Sequence, residues 1–164
     1  MSAEAVILLC QTVCLSFLAL WLTSGAWDNL RYPAVNETFT AEVMDMSRLR
    51  AEYPDAYALV AHRRISSRTL QRAAFRLVVA WEVLSVLALW AAAFMMALTL
   101  FGSQSIDTAR PLAMISVLMF TTTWAMFLIV GNHFCYWFGH EGAQNTHFQL
   151  TLCGIGTMVL LAQG

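Results

Sequence analysis

Four long runs of apolar residues alternate with polar segments along this chain of 164 residues. A membrane-spanning helix needs about 20 consecutive apolar residues. The pattern predicts four such helices, at about residues 5–24, 67–101, 111–131 and 147–163. Strands of a transmembrane barrel would show short segments of alternating polarity instead. We therefore expect an all-α membrane protein, a four-transmembrane-helix bundle forming a single domain over residues 1–164.

A long polar segment, residues 27–66, joins the first two predicted membrane helices. Within it, after Pro33, apolar residues recur at helical spacing between charged ones: Phe39, Val43, Met46 and Leu49. This pattern predicts an amphipathic helix that lies on the lipid headgroups or on a partner. Pro54 suits the first turn of a second short helix. We expect a long, partly helical first loop, on the same side of the membrane as the third loop.

Composition supports the membrane assignment and removes one class of partner. Apolar residues make up 59% of the chain and charged residues only 12%, whereas soluble domains carry about 25% charged residues. The net charge is −1 and the chain has no lysine, so no basic field exists for nucleic acid. The predicted partner is therefore the lipid bilayer.

Most of the arginines lie in or just after the long polar segment. Cations near the end of a membrane helix are attracted to the phosphates of lipid headgroups. The sequence thus predicts headgroup contacts for the arginines around the start of the second membrane helix: Arg63, Arg64, Arg68 and Arg72.

Three polar side chains interrupt the apolar runs and are candidate intramembrane or ligand-binding groups: Gln11, Arg76 and Glu82. An ionisable group within a bilayer is costly and points to function. Arg76 and Glu82 are six residues apart, so they point about 120° apart on a helix and do not pair. Glu82 then needs a partner elsewhere: Gln11, a threonine of the third helix or a histidine of the last loop. An interhelical hydrogen bond is the favoured interpretation for Gln11 and Glu82, and a channel or transporter built around Glu82 is an alternative.

The last loop and the start of the fourth helix contain three histidines, His133, His140 and His147. With Glu141 they offer metal-ligand chemistry, but their spacing matches no standard motif, so we predict no metal site. His133 and His147 are alternative haem ligands. A quinone against the loop's aromatic side chains is a further alternative. The favoured interpretation is an interfacial loop anchored by its aromatics, without a required cofactor.

The sequence contains no recognisable catalytic motif: no phosphate-binding glycine loop, no GxSxG and no HExxH. We therefore expect no enzymatic activity. Small residues at helical spacing permit close helix packing, inside the bundle or against a neighbour: Ala88, Ala92, Ala93, Ala97, Gly154 and Gly156. Thr146 and Gln149 are spaced as a capping box at the start of the fourth helix.

Six short motifs follow one another along most of the chain: Asn36-Glu37-Thr38-Phe39, Val43-Met44-Asp45-Met46, Arg64-Ile65, Ala74-Phe75, Trp81-Glu82 and the segment Gly131 to Gln149. In type and order they resemble a family of predicted small integral membrane proteins, domain of unknown function 2165. The resemblance implies four helices and a multi-pass location in a bacterial inner membrane, with no established activity. The chain departs from the family pattern after Met46 and at Asn132-His133.

Together these observations favour an accessory or scaffolding subunit of a larger membrane complex, respiratory or photosynthetic, that packs against other membrane subunits or forms a homo-oligomer. The alternative is a redox protein that binds quinone or haem.

Overall fold

The computed structural model describes residues 2–163 and is helical along almost all of that range. Its α-helices are α1 (Ala3–Arg31), α2 (Pro33–Asp45), α3 (Ser47–Glu52), α4 (Pro54–Val60), α5 (Arg68–Leu100), α6 (Ile106–His133) and α7 (Glu141–Leu161). Two 3-10 turns lie at Ala61–Arg63 and Tyr136–Phe138. Residues 2–163 contain no strand, so the all-α prediction is confirmed; Met1 and Gly164 lie outside the described residues.

Three of these helices, α1, α5 and α6, are long and apolar enough to cross a membrane. The fourth predicted span corresponds to α7, which has 21 residues. Its first half carries polar side chains, among them Asn145, His147 and Gln149, and these lower its hydropathy. The structure therefore establishes three candidate spans, and the fourth stays a prediction.

The first helix is longer than expected, since α1 continues beyond residue 24 to Arg31. Nothing in the sequence breaks it before Tyr32 and Pro33, where the backbone N–H of Tyr32 closes the helix on the carbonyl of Asp28 at 2.7 Å. The extra turns carry Asn29 past the end of the apolar run. This extension positions the candidate site described below.

Two predicted helix starts are wrong. Ser105 caps α6 by accepting a hydrogen bond from the backbone N–H of Asp107, so Pro111 lies inside the helix rather than in its first turn. Helix α7 begins at Glu141 instead of residue 147, and the Thr146 hydroxyl donates to the carbonyl of Gly142 within the helix. The expected capping box does not form, because α7 is already helical from Glu141 and Thr146 lies inside it.

The long polar segment folds onto the last loop. We call residues 32–67, which contain α2, α3 and α4, the cap. Buried side chains from both sides, Met46, Leu49, Phe134 and Cys135, form a small second core beneath it. Met46 has φ 52°, the left-handed conformation that turns the chain from α2 into α3. The first and third loops therefore share one face, as the sequence predicts, although the first is far more helical than a loop.

The long helices pack in sequence order, α1 on α5, α5 on α6 and α6 on α7. Their common core is fully buried and apolar, with Leu15, Leu89, Met96, Val117 and Phe120 among its members. The outward faces are also apolar, which is typical of helices that face lipid. Of the small residues singled out in the sequence, Ala92, Ala93 and Gly154 are buried within the helix bundle, whereas Gly156 faces outward.

Gly154 and Gly156 of α7 provide a matched test of this packing. A Cβ at position 154 would collide with the Thr121 side chain, whereas one at position 156 would meet nothing within 4 Å. We expect Gly154→Ala to destabilise the protein by about 1–3 kcal/mol through overpacking. Gly156→Ala should leave the melting temperature in detergent unchanged or raise it slightly, because alanine favours helix. Equal losses for the two variants would contradict this packing.

Candidate functional site

The buried carboxyl group of Glu82 is the centre of a hydrogen-bonded chain that joins three helices. Glu82 is 4% exposed. Its Oε2 accepts a hydrogen bond from Nδ2 of Asn29 at 2.7 Å, and Oδ1 of Asn29 accepts one from Nδ2 of Asn36 at 2.6 Å. The chain links α5 to α1 and α1 to α2. The interhelical bond of Glu82 is therefore present, but its partner is Asn29 rather than Gln11, a threonine or a histidine.

This chain lies where the apolar segments end. Helix α1 carries no charge from Ala5 to Trp27, and Asp28 precedes Asn29 directly. Helix α5 is likewise uncharged from Val83 to its last residue. In both helices the Asn29–Glu82 bond therefore lies at the boundary between apolar and polar sequence. This position favours a structural role, in which the bond holds the two helices together, over a path for ions through the bundle.

Arg76 and Gln11 lie far from Glu82 and from each other. Arg76 is exposed on α5 and takes part in no ion pair within residues 2–163, in keeping with the predicted separation from Glu82. Gln11 is fully buried near the start of α1. Its Nε2 donates to the carbonyls of Leu160 and Gln163, both at 2.9 Å. Those carbonyls lie at and just after the C-terminal end of α7, so the Gln11 side chain links α1 to α7 by hydrogen bonds.

The three histidines are dispersed. His133 is exposed at the end of α6 with its ring edge-on to Phe134 at 5.0 Å. His140 lies in the loop beside Phe39 of the cap. His147 is enclosed between rings of α6 and the loop, as described below. Across residues 2–163, no three His, Cys, Asp or Glu side chains come together as metal ligands.

An aromatic cluster that the sequence analysis missed surrounds His147. Its ring stacks on Trp124, Phe127 and Tyr136, with centroid distances of 5.7, 4.8 and 6.2 Å. The lack of a side chain at Gly131 lets the Tyr136 ring pack at this position, because a Cβ on residue 131 would come within 2.6 Å of that ring. Burial raises the pKa of Tyr136 to about 12. The cluster packs α7 against α6 and closes off the histidine ring.

The arginines predicted to contact headgroups also have partners within the protein. Arg64 pairs with Asp45 at 2.8 Å and Arg72 with Glu37 at 3.0 Å. Arg63 donates to the carbonyl of His133 at 3.4 Å. Arg68 donates to Oε1 of Gln71 at 3.2 Å. The bonds of Arg63 and Arg72 link the cap to the bundle, and all four guanidinium groups lie on the cap side of the membrane helices.

Arg48, which sequence reasoning missed, holds the cap on the last loop. Its Nε pairs with Glu42 at 3.2 Å and its NH1 donates to the carbonyl of Gly139 at 2.8 Å. The stem of Arg48 fills the space where a Cβ of Gly139 would lie, 2.6 Å from its own Cβ. Gly139 and Arg48 are so far apart in sequence that no local pattern indicates this contact.

The junction between cap and loop encloses a cavity of about 10 Å³, lined by residues that include Met46, Arg48, Tyr136 and His140. This volume holds about one water molecule. A quinone needs a pocket of several hundred Å³, so the loop aromatics do not form one at this junction. His140 is half-buried here, and burial, together with the charge of Arg48, lowers its pKa below the ordinary value.

Comparison with known proteins adds one result. A family model described as predicted small integral membrane protein (DUF2165) matches residues 7–164, nearly the whole chain. No curated protein and no solved structure matches the chain.

Removing the donor to Glu82 tests the hydrogen-bonded chain. Asn29→Ala leaves a buried carboxyl without its partner, which costs about 1–3 kcal/mol. We expect a clearly lower melting temperature in detergent for Asn29→Ala and also for Asn29→Asp, whose carboxyl would face that of Glu82. Asn36 is exposed, so Asn36→Ala should have a much smaller effect. A wild-type melting temperature for Asn29→Ala would show that Glu82 does not depend on this bond.

The lowered pKa of His140 predicts an acid-sensitive junction. The folded protein resists protonation of His140 while the unfolded chain does not, so stability falls as pH drops below the ordinary value of 6.5. His140→Gln should lose part of the decrease in melting temperature seen between about pH 7 and about pH 5. His62→Gln, at an exposed histidine of the cap, is the control and should keep the wild-type decrease. Identical pH profiles for His140→Gln and the wild type would refute this role.

Proposed function

We propose a role in membrane assembly for this chain, which belongs to the DUF2165 family of predicted small integral membrane proteins. It acts as a non-catalytic subunit that docks laterally on a larger membrane complex, with α7 as its fourth span and as its docking helix. One observation carries the proposal: the Gln149 amide, on the outward face of α7, makes no hydrogen bond within residues 2–163.

The depth of Gln149 follows from the packing of α7 on α6. Gly154 of α7 packs against Thr121 of α6. Thr121 lies at the middle of the uncharged stretch of α6, which runs from Pro111 to Asn132. Gln149 precedes Gly154 by five residues, about 8 Å along the helix axis. The half-thickness of the hydrocarbon layer is about 15 Å, so Gln149 lies well within it when α7 spans the bilayer.

An amide that faces lipid at this depth has no water with which to form hydrogen bonds, and leaving it unpaired is costly. A neighbouring protein helix that offers a polar group removes this cost. The Gln149 side chain is exposed. It points about 100° around α7 from Leu150 and about 140° from Gly154, and both of these residues are buried against the bundle. The partner of Gln149 is therefore outside this chain.

The same face of α7 carries a small residue that allows a neighbouring helix to approach closely. Exposed residues recur along it at helical spacing: Asn145, Gln149, Leu152 and Gly156. A Cβ on Gly156 would meet nothing within 4 Å, so this glycine serves no contact inside the described part of the chain. A small residue two turns from a polar one is typical of membrane helix interfaces.

The buried polar groups support a structural rather than a catalytic subunit. Gln11 fastens α7 to α1, Asn29 fastens α1 to Glu82, and Gln71 donates to the carbonyl of Ile65 at 2.8 Å, where the cap meets α5. These side chains hold helices together and do not converge on a shared cavity. The result is a rigid bundle with one distinctive outward face.

Affinity purification in a mild detergent, with mass spectrometry of co-eluting proteins, tests the proposal. We expect a stoichiometric larger complex with the wild type. Gln149→Leu should weaken co-purification about five- to thirtyfold, the value of one hydrogen bond between membrane helices of about 1–2 kcal/mol. Gly156→Leu should weaken it too, by preventing close approach. Both variants change exposed positions, so their melting temperatures should stay at the wild-type value.

Leu87→Gln provides the matched control, because Leu87 is exposed on α5, away from the α7 face. This variant should keep the complex intact. A wild-type protein that elutes alone would overturn the proposal. A homo-oligomer dissociated by Gln149→Leu would replace the larger complex with a second copy as the occupant of the face.

A further inference from the structure

We propose that the groove between α2 and the start of α5 binds the phosphate of an acidic lipid headgroup. The groove has an open volume of about 330 Å³ and is lined by Pro33, Ala34, Glu37, Thr38, Arg68 and Arg72. This volume suits a phosphoglycerol group. This groove and the outward face of α7 are different surfaces, and lipid binding in the groove does not depend on docking at α7.

Three arginines form one line along α5: Arg68, Arg72 and Arg76. They are spaced four residues apart, so they lie on the same side of the helix and about 6 Å from one another along its axis. All three are exposed. Arg72 uses Nε for its bond to Glu37 and Arg68 uses one terminal nitrogen for Gln71. The remaining guanidinium nitrogens are donors for the oxygens of a phosphate.

The start of α2 adds to this positive field. Helix α2 begins at Pro33, and Tyr32 before it provides no side-chain cap. The uncapped end of a helix carries a partial positive charge and favours anions. Since Pro33 and Ala34 line the groove opposite Arg68 and Arg72, both walls attract the same ligand.

The position and charge of the groove indicate a lipid. Pro33 follows Arg31 closely, where α1 ends just past its apolar run, and Arg76 is two turns from Val83, where the uncharged part of α5 begins. The groove therefore opens at headgroup level. Two arginines, Arg68 and Arg72, against the one carboxylate of Glu37 leave a net positive charge in the lining, so an acidic headgroup such as phosphatidylglycerol is favoured over a zwitterionic one.

Native mass spectrometry of the full chain, released from nanodiscs of phosphatidylcholine and phosphatidylglycerol, measures the bound acidic lipid. We expect selective retention of phosphatidylglycerol by the wild type. Each arginine near a membrane surface contributes about 1 kcal/mol to acidic lipid binding, so Arg68→Gln and Arg72→Gln should each weaken retention about fivefold. Arg50→Gln is the matched control, since Arg50 is an exposed arginine of the cap that does not line the groove.

Glu37→Gln separates lipid binding from a purely structural role of the Arg72–Glu37 ion pair. Both Glu37→Gln and Arg72→Gln break the pair, but removing the carboxylate should strengthen phosphatidylglycerol retention while removing the arginine should weaken it. Changes in the same direction would overturn the proposal, as would wild-type retention by the double variant of Arg68 and Arg72. Competition by inorganic phosphate at millimolar concentration would identify a site for soluble anions in place of a lipid.

Discussion

A carboxyl group buried at the edge of the membrane segment must have a hydrogen-bond donor, and the fold is arranged around that requirement. Glu82 finds its donor in Asn29, which reaches it only because α1 continues two turns beyond its expected end. The bond sets the register of α1 against α5. Asn29 in turn accepts a hydrogen bond from Asn36, which connects the same chain to α2 at the start of the cap.

The cap and the last loop then form a second folding unit on one face of the bundle. Arg48 reaches the carbonyl of Gly139, Arg63 reaches that of His133, and apolar side chains fill the space between. These contacts draw the ends of α6 and α7 together with the entry to α5. They also place most charged groups of the protein on one surface.

Helix α7 has two faces with opposite roles. Gly154 and His147 are enclosed by α6 and by the aromatic cluster, whereas Gln149 and Gly156 face outward without contacts inside the described chain. A helix with polar and small residues on its outer side is poorly matched to lipid alone. This asymmetry is the physical basis for proposing the docking role for α7 rather than for α1 or α5, whose exposed positions within the apolar segments carry no amide.

Hydrophobic periodicity alone determined the helical class, the positions of the long helices and the shared side of the two polar loops, because burial in lipid imposes long apolar runs on any sequence. The helical spacing around Phe39 and Val43 likewise predicted structure in the first loop. Only the tertiary structure decided which polar groups meet: Asn29 with Glu82, Gln11 with the end of α7, and Arg48 with Gly139. These partners lie between 53 and 152 residues apart, and a local pattern carries no information about such distant pairs.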